Sequence, residues 1–261
     1  MRKNDNLSLL NGLSLLLLYN PSTLLLTIRE ISKKLAYSQS KTYRLVKTLT
    51  NHGFLQKKPG TKQYALGLNI LRLGLTAQQN LGLSVIARPF MEELSSLTKE
   101  SVFLSIVNGS KRMVIEKVES DEPVRYSSPG VGAVSPLTIG ASSKLLLAYL
   151  AEEDWGRLIS NEGLKKYTSH TITDAGQLKR QLKEIRERGY AFSDREELKD
   201  VRAVAAPIRD SAGEVVAALG VGGPVYRMNK NRVTELIKMT VRCAQRVSDS
   251  MARNRHKHGL I

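Results

Sequence analysis

Between residues 27 and 66 the chain carries a pattern that few folds can satisfy: a short helix, a three-residue break, a second helix and a hairpin. Thr27 and Glu30 are spaced as a capping box, and Ile31 and Leu35 follow at helical spacing. Ala36, Tyr37 and Ser38 break that helix, and Ser38 can cap a second one reaching His52. On the second helix Thr42, Leu45, Val46 and Leu49 share one stripe. The rest of its surface falls to Gln39, Ser40, Lys41, Tyr43, Arg44 and Lys47. Gly53 stands where a helix-ending glycine belongs. Residues 54–57 and 63–66 then flank Pro59-Gly60, which predicts a two-stranded wing. A short helix, a tight turn and a polar, basic helix are what reading the major groove requires. The pattern predicts a winged helix-turn-helix for duplex DNA.

The charge agrees. Of the net +16, residues 1–80 hold 12 Lys and Arg against two acids, Asp5 and Glu30. Residues 81–241 are nearly balanced, with 23 bases and 21 acids, and the last twenty residues hold five bases and one acid. A coating protein would spread its bases along the chain and interleave them with stacking aromatics. Here aromatics make up 5% of residues and the larger half is neutral, which favours a sensor domain joined to a DNA-binding one.

The single cysteine, Cys243, excludes an intrachain disulfide and a multi-cysteine metal cluster, and its helical setting reads as a small buried thiol. Leu9, Leu10, Leu13, Leu16 and Leu17 imitate a signal segment. Asn11, Ser14 and Asn20 interrupt that run, which reads instead as the first helix of the DNA-binding domain. No apolar run approaches the ~20 residues that span a bilayer. The expectation is a cytoplasmic protein without a membrane partner.

Further along, residues 66–84 read as a connecting helix with Leu68, Leu71 and Leu75 on one face, and residues 85–99 as another helix. Strands are expected at 101–107 and 112–119 around Asn108-Gly109, and at 201–208 and 215–221 around a turn at 210–213. Helices are expected at 144–151, started by Ser142 or Ser143, at 175–188 between Asp174 and Gly189, and at 230–253. Residues 127–138, rich in Gly, Ser and Pro, read as a loop. Antiparallel hairpins with helices grouped between them favour an α+β domain.

Separated segments together resemble the isocitrate lyase regulator (IclR) family of bacterial transcription factors. The first is SQSKTYRLVKTL from Ser38 to Leu49, with HGFL from His52 and YALG from Tyr64. The second is PLTIGASSKLLLA from Pro136 to Ala148, similar to the family's Pro-Leu-His…Ser-Gly-Lys-Ala-Leu-Leu-Ala stretch. The third runs from GYAFSDRE at Gly189 through residues 201–207 to Gly222-Gly223-Pro224. Their order and spacing cover nearly the whole chain. Thr138 stands where the family usually has His, Ser143 where it has Gly, and Asp200 where Gly is common.

The resemblance implies a winged helix-turn-helix over residues 1–66, a linker helix over 67–84 and a GAF-like effector-binding domain over 85–253, with 254–261 a basic tail. It also implies a homodimer or dimer of dimers on double-stranded operator DNA, answering to a small organic acid; repression is the expected direction. Gln39, Ser40, Lys41, Tyr43 and Arg44 are expected at the major groove, since Arg and Lys pair with guanine and Gln with adenine. Tyr43 could equally pack against the first helix. Lys47, Lys57, Lys58 and Lys62 are expected on phosphates, which add affinity and salt dependence.

For the effector, backbone N–H groups of Gly140, Ala141 and Ser142, at the start of a helix, can converge on a carboxylate. Asp194 matches a pocket carboxylate of the family, and Ala203, Gly220 and Gly222 match pocket-lining positions. A turn cap is the plain alternative for Asp194. Glycine at the last two positions is expected to enlarge the site for a bulkier or aromatic acid. Tyr126 reads as pocket wall or ordinary core. Lys144 opposes the dipole of its own helix, which implies an ion pair whose partner the sequence does not name.

An enzyme domain fused to a nucleic-acid module is the rival. The chain lacks a Gly-x-Ser-x-Gly elbow, a Walker loop and a Gly-x-Gly-x-x-Gly fingerprint. His52, His170, His256 and His258 are the only histidines, and the last two alone make a weak metal site. No enzyme activity, cofactor or metal is expected.

Overall fold

The computed structural model describes residues 6–20, 23–79, 82–126 and 130–258, with side chains for all of these except 78, 79 and 254–258. The chain divides into two compact units, residues 1–80 and 81–261.

In the first unit α1 (Leu7–Leu16) is followed by β1 (Leu26–Thr27), α2 (Ile28–Leu35), α3 (Gln39–Asn51), β2 (Leu55–Lys57), β3 (Gln63–Leu66) and α4 (Leu68–Gln79). The capping box forms: the Thr27 N–H donates to Glu30 Oε2 at 2.7 Å, and the Glu30 N–H to Thr27 Oγ1 at 3.2 Å. Ser38 caps α3 by accepting from the Lys41 N–H at 3.3 Å. At the other end Gly53 takes φ +70° and donates to Thr50 O at 3.0 Å, while the Phe54 N–H reaches Leu49 O at 2.8 Å. This is the Schellman closure, which turns the chain sharply into the wing. The wing differs from the expected two strands. Leu26 and Thr27 pair with Tyr64 and Gln63, giving a three-stranded antiparallel sheet in the order β1-β3-β2. A two-residue strand carries no periodicity that a sequence could show. Leu15, Leu26, Ile31, Val46 and Leu55 form the core of this unit.

The second unit runs α5 (Gly82–Thr98), β4 (Ser101–Asn108), β5 (Lys111–Val118), β6 (Val134–Pro136), α6 (Ala141–Tyr149), α7 (Glu152–Glu162), α8 (Ala175–Arg188), β7 (Ala191–Asp194), β8 (Val201–Arg209), β9 (Val215–Pro224) and α9 (Lys230–His258). Its six strands form one sheet in the order β6-β5-β4-β9-β8-β7, every pair antiparallel. Alternation along the central strands divides the core. Val204, Ala206, Ile208, Ala217, Leu219 and Val221 face α5 and α9, where Met91, Leu94, Leu236 and Val247 are buried. Ala205 and Ala218 face the other side, against Leu145, Leu147, Trp155, Leu178 and Leu182 of α6, α7 and α8.

Several expectations are corrected. The linker and the helix after it appear as α4, ending at Gln79, and α5, beginning at Gly82; residues 80–81 lie outside the described ones. Helix α6 starts three residues early, at Ala141, because Gly140 at φ +81° serves as its N-cap. Ser142 and Ser143 are therefore inside the helix and cap nothing. α7 was not expected: its N-cap Ala151 makes no side-chain bond and Gly156 interrupts its interior. The stretch 127–138 contains the edge strand β6, where Pro136 is tolerated because an edge leaves one side unpaired; residues 127–129 of that loop lie outside the described ones. The final helix runs to His258, five residues into the expected basic tail. The side chains of His256 and His258, and all of 259–261, lie outside the described residues. Cys243 is buried, and burial pushes its thiol up to about 11.

Candidate functional site

Helix α3 buries Thr42 and Val46 and turns its other faces outward. Gln39, Ser40, Tyr43 and Arg44 line one open concave surface together with Lys57 and Lys62 of the wing. Arg29, from the second position of α2, joins them, and no acidic residue lines the surface. Sequence reasoning missed Arg29; its place beside the capping box, off the apolar stripe of α2, was the available signal. Arg44 makes no ion pair among the described residues, so its guanidinium is available. Tyr43 is 52% exposed, which settles it as a surface residue and not a packing residue. Lys41, Lys47 and Lys58 lie off this concavity. Lys41 stacks its ammonium 3.7 Å from the Tyr37 ring centroid and flanks a groove beside α1.

The end of α3 is joined to the start of α4 by main-chain contacts. The Gly67 N–H donates to Phe54 O at 2.8 Å, the Asn69 N–H to Gly53 O at 3.2 Å, and Asn69 Nδ2 to His52 O at 2.7 Å. A methyl group on Gly67 would lie 2.2 Å from Gly53 O, so only glycine lets the two backbones meet.

In the second unit, the sheet face toward α6 is made of small residues. Ser193 pairs with Ala203, Ala203 with Gly222, and Ala205 with Gly220, which in turn sits opposite Phe103. The helix start at Gly140, Ala141 and Ser142 comes down on this face, leaving a cavity of about 40 Å³. Gly140, Ala141, Ser142, Ala203, Gly220 and Gly222 all line it.

Asp194 does not. Strand β7 alternates, so Ser193 points into the cavity and Asp194 away from it. The Asp194 carboxylate takes Arg195 in a two-pronged pair, with both bonds at 2.9 Å, and Arg202 Nε at 2.7 Å. The Arg195 and Arg202 guanidiniums hold it well below the usual carboxylate range. Had β7 been recognised as a strand, its period of two would have selected Ser193.

The glycines also do not enlarge the site. A methyl at Gly222 would meet the Tyr126 ring at 3.0 Å, and one at Gly220 would meet Ser142 Oγ at 2.5 Å. The room they release is already filled by those side chains. Tyr126 is thus pocket wall, set edge-on to Phe103 with ring centroids 5.8 Å apart. Burial pushes its phenol upward, helped by the Glu197 charge.

The charged residues among those described around the cavity are Arg112 and Glu197; the sequence marks Glu197 only as half of an acidic pair with Glu196, and neither Arg112 nor Glu197 is expected at the effector site. Arg112, on β5, donates from Nε to Ser135 Oγ at 2.9 Å. Glu197 leaves the strand after Arg195, whose φ of +58° turns the chain. That turn sends the two adjacent glutamates apart. Glu196 is buried against Lys144, accepting from its Nζ at 2.5 and 2.6 Å, with Gln181 Oε1 at 2.7 Å. The partner of Lys144 is therefore Glu196. Burial pulls the Lys144 ammonium below the usual lysine range, and the Glu196 carboxylate offsets part of this. Glu197 enters the cavity, where burial pushes its carboxyl up, Arg112 opposes and Glu196 adds.

Two family descriptions match this chain: the IclR helix-turn-helix domain over residues 8–59, and the bacterial transcriptional regulator IclR C-terminal domain over 75–249. Among curated relatives, the HTH-type transcriptional regulator BhcR of Paracoccus denitrificans is 32% identical over 87% of this chain and 81% of its own. The transcriptional repressor IclR of Escherichia coli is 30% identical over 92% of this chain and 88% of its own. A solved IclR transcriptional regulator from Alicyclobacillus acidocaldarius superposes with a TM-score of 0.84 at 26% identity, covering 95% of this chain and 100% of that one. None of the three is named as an enzyme, and no described helix is long and apolar enough to cross a membrane. With both family domains in order along most of its length, the chain belongs to the IclR family of DNA-binding transcriptional regulators.

Proposed function

We propose that Arg29, Gln39, Ser40, Tyr43 and Arg44 read operator bases or their immediate backbone, while Lys57 and Lys62 hold phosphates. Lys41, Lys47 and Lys58 extend the phosphate contact outside the concavity. The observation that carries this reading is the shared surface of α2, α3 and the wing, populated by four bases and no acid. The protein acts as a homodimer or dimer of dimers, and as a repressor. Leu71 and Leu75 of α4 are 57% and 51% exposed, an apolar stripe suited to pairing with a second copy. Replacing both with glutamate is expected to reduce assembly and DNA binding together; unchanged sedimentation would contradict it.

The cavity at Gly140, Ala141, Ser142, Ala203, Gly220 and Gly222 is the effector site, and its ligand is a compact organic acid. The Tyr126 ring and Ser142 Oγ, which occupy the space above Gly222 and Gly220, argue against the bulky aromatic acid expected from the glycines. An effector changes DNA affinity only by binding two arrangements of the protein unequally. The anchored start of α4 is the element through which such a difference would reach α3.

The test is selection of DNA from a random pool by the purified protein at several salt concentrations. Recovery of one palindromic or repeated motif that unrelated competitor DNA fails to displace is the expected result. Equal binding to all duplexes, abolished by modest salt, would leave only the electrostatic component and overturn the assignment of base-reading residues.

A further inference from the structure

Arg112 and Glu197 line the same small cavity, yet they form no ion pair or hydrogen bond with each other. Their charges are felt across it, since Arg112 favours the ionised form of Glu197. Arg112 is steadied from one side by Ser135 Oγ. Glu197 accepts no hydrogen bond from any described residue, and a methyl at Gly140 would lie 3.2 Å from its Oε2. The carboxylate thus lies beside the first turn of α6, in the space where an acid effector would be expected to place its own carboxylate. Elsewhere in this unit, buried acids are paired: Glu196 with Lys144, and Glu100 with Arg227 at 2.7 and 2.8 Å. Glu197 is half-buried, and with no described protein group donating to it, its carboxylate is open to a donor that a ligand supplies.

We infer that the effector is a small acid carrying an adjacent hydrogen-bond donor, a hydroxy acid or an amino acid, with its carboxylate on Arg112 and its donor on Glu197. The inference rests on reading this cavity as the effector site. A plain acid of equal length would satisfy Arg112 but meet Glu197 with a methyl group or a repelling oxygen. The site therefore selects by two opposite charges held apart, and Tyr126 and Phe103 limit the length of what lies between them.

The experiment is isothermal titration of the full-length protein with propionate, lactate and alanine, which share a three-carbon frame. Lactate or alanine is expected to bind at least about tenfold tighter than propionate, the size of one hydrogen bond to a charged group. Preference for lactate assigns a hydroxyl to the site, and preference for alanine assigns an ammonium. Glu197→Leu should abolish the preference, whereas Glu197→Gln should abolish only that for alanine. Arg112→Gln should weaken every acid. Equal binding of all three acids to the wild type, or a preference that survives Glu197→Leu, overturns the inference. If Arg112→Gln still weakens all acids in that case, the cavity remains the effector site. Binding untouched by either variant, or no binding by any of the three, overturns both.

Discussion

Replacing Lys144 with methionine tests how the second unit tolerates a charge at its centre. Lys144 is fully buried and the Glu196 side chain is 7% exposed, so neither has bulk water to fall back on. Removing the ammonium takes away the cation that donates to both oxygens of the Glu196 carboxylate. Breaking a buried pair by deleting one partner costs about 3–5 kcal/mol, because an uncompensated charge stays behind. For a unit of this size each kcal/mol lowers the melting temperature by about 2–4 °C, so Lys144→Met should lose about 6–20 °C. Differential scanning calorimetry of the full chain reads this directly. The double variant Lys144→Met/Glu196→Met should recover most of the loss, since replacing both charges with apolar groups is often neutral. A single variant melting within about 2 °C of the wild type would refute the argument: the carboxylate would then be stabilised without Lys144.

Three further outcomes follow from the geometry. Because burial raises the Glu197 carboxyl above its ordinary 4.5, its charge opposes folding at neutral pH; the favourable protonated state is fully populated below the unfolded value and lost as pH rises through the folded one. Glu197→Gln should therefore raise the melting temperature near neutral pH, with the gain shrinking as pH falls through the glutamate range; a gain independent of pH would contradict this. Gly67→Ala forces a methyl onto the Gly53 carbonyl oxygen, where no side chain can yield, so the N-terminal unit should lose at least about 1–3 kcal/mol and DNA binding with it. Wild-type DNA affinity and unfolding in that variant would exclude a tight α3–α4 junction. Arg44→Ala should cost about 1–3 kcal/mol on the selected operator and little on random duplex, whereas Lys57→Ala should weaken both alike and lower the salt slope by about one; the reverse pattern would exchange their roles.

What the sequence determined by itself is chiefly local. The capping box at Thr27, the cap at Ser38, the closure at Gly53 and the turn before Gly60 depend on neighbours within five residues, and all four formed as written. The apolar stripe of α3 followed the helical period, so the residues on its outward faces could be named in advance. Strand β7 was too short, at four residues, to declare its alternation, and that hid the exchange of Asp194 for Ser193. Tertiary structure alone decided the rest. Arg112, Ser142, Glu197 and Gly222 come from separate elements and converge only because small residues on β8 and β9 let α6 approach the sheet. Whether a glycine opens a cavity or admits a neighbour depends on what packs over it, and here Tyr126 and Ser142 take the space. Adjacent Glu196 and Glu197 are alike as letters; the turn at Arg195 buries one against a lysine and leaves the other facing the cavity.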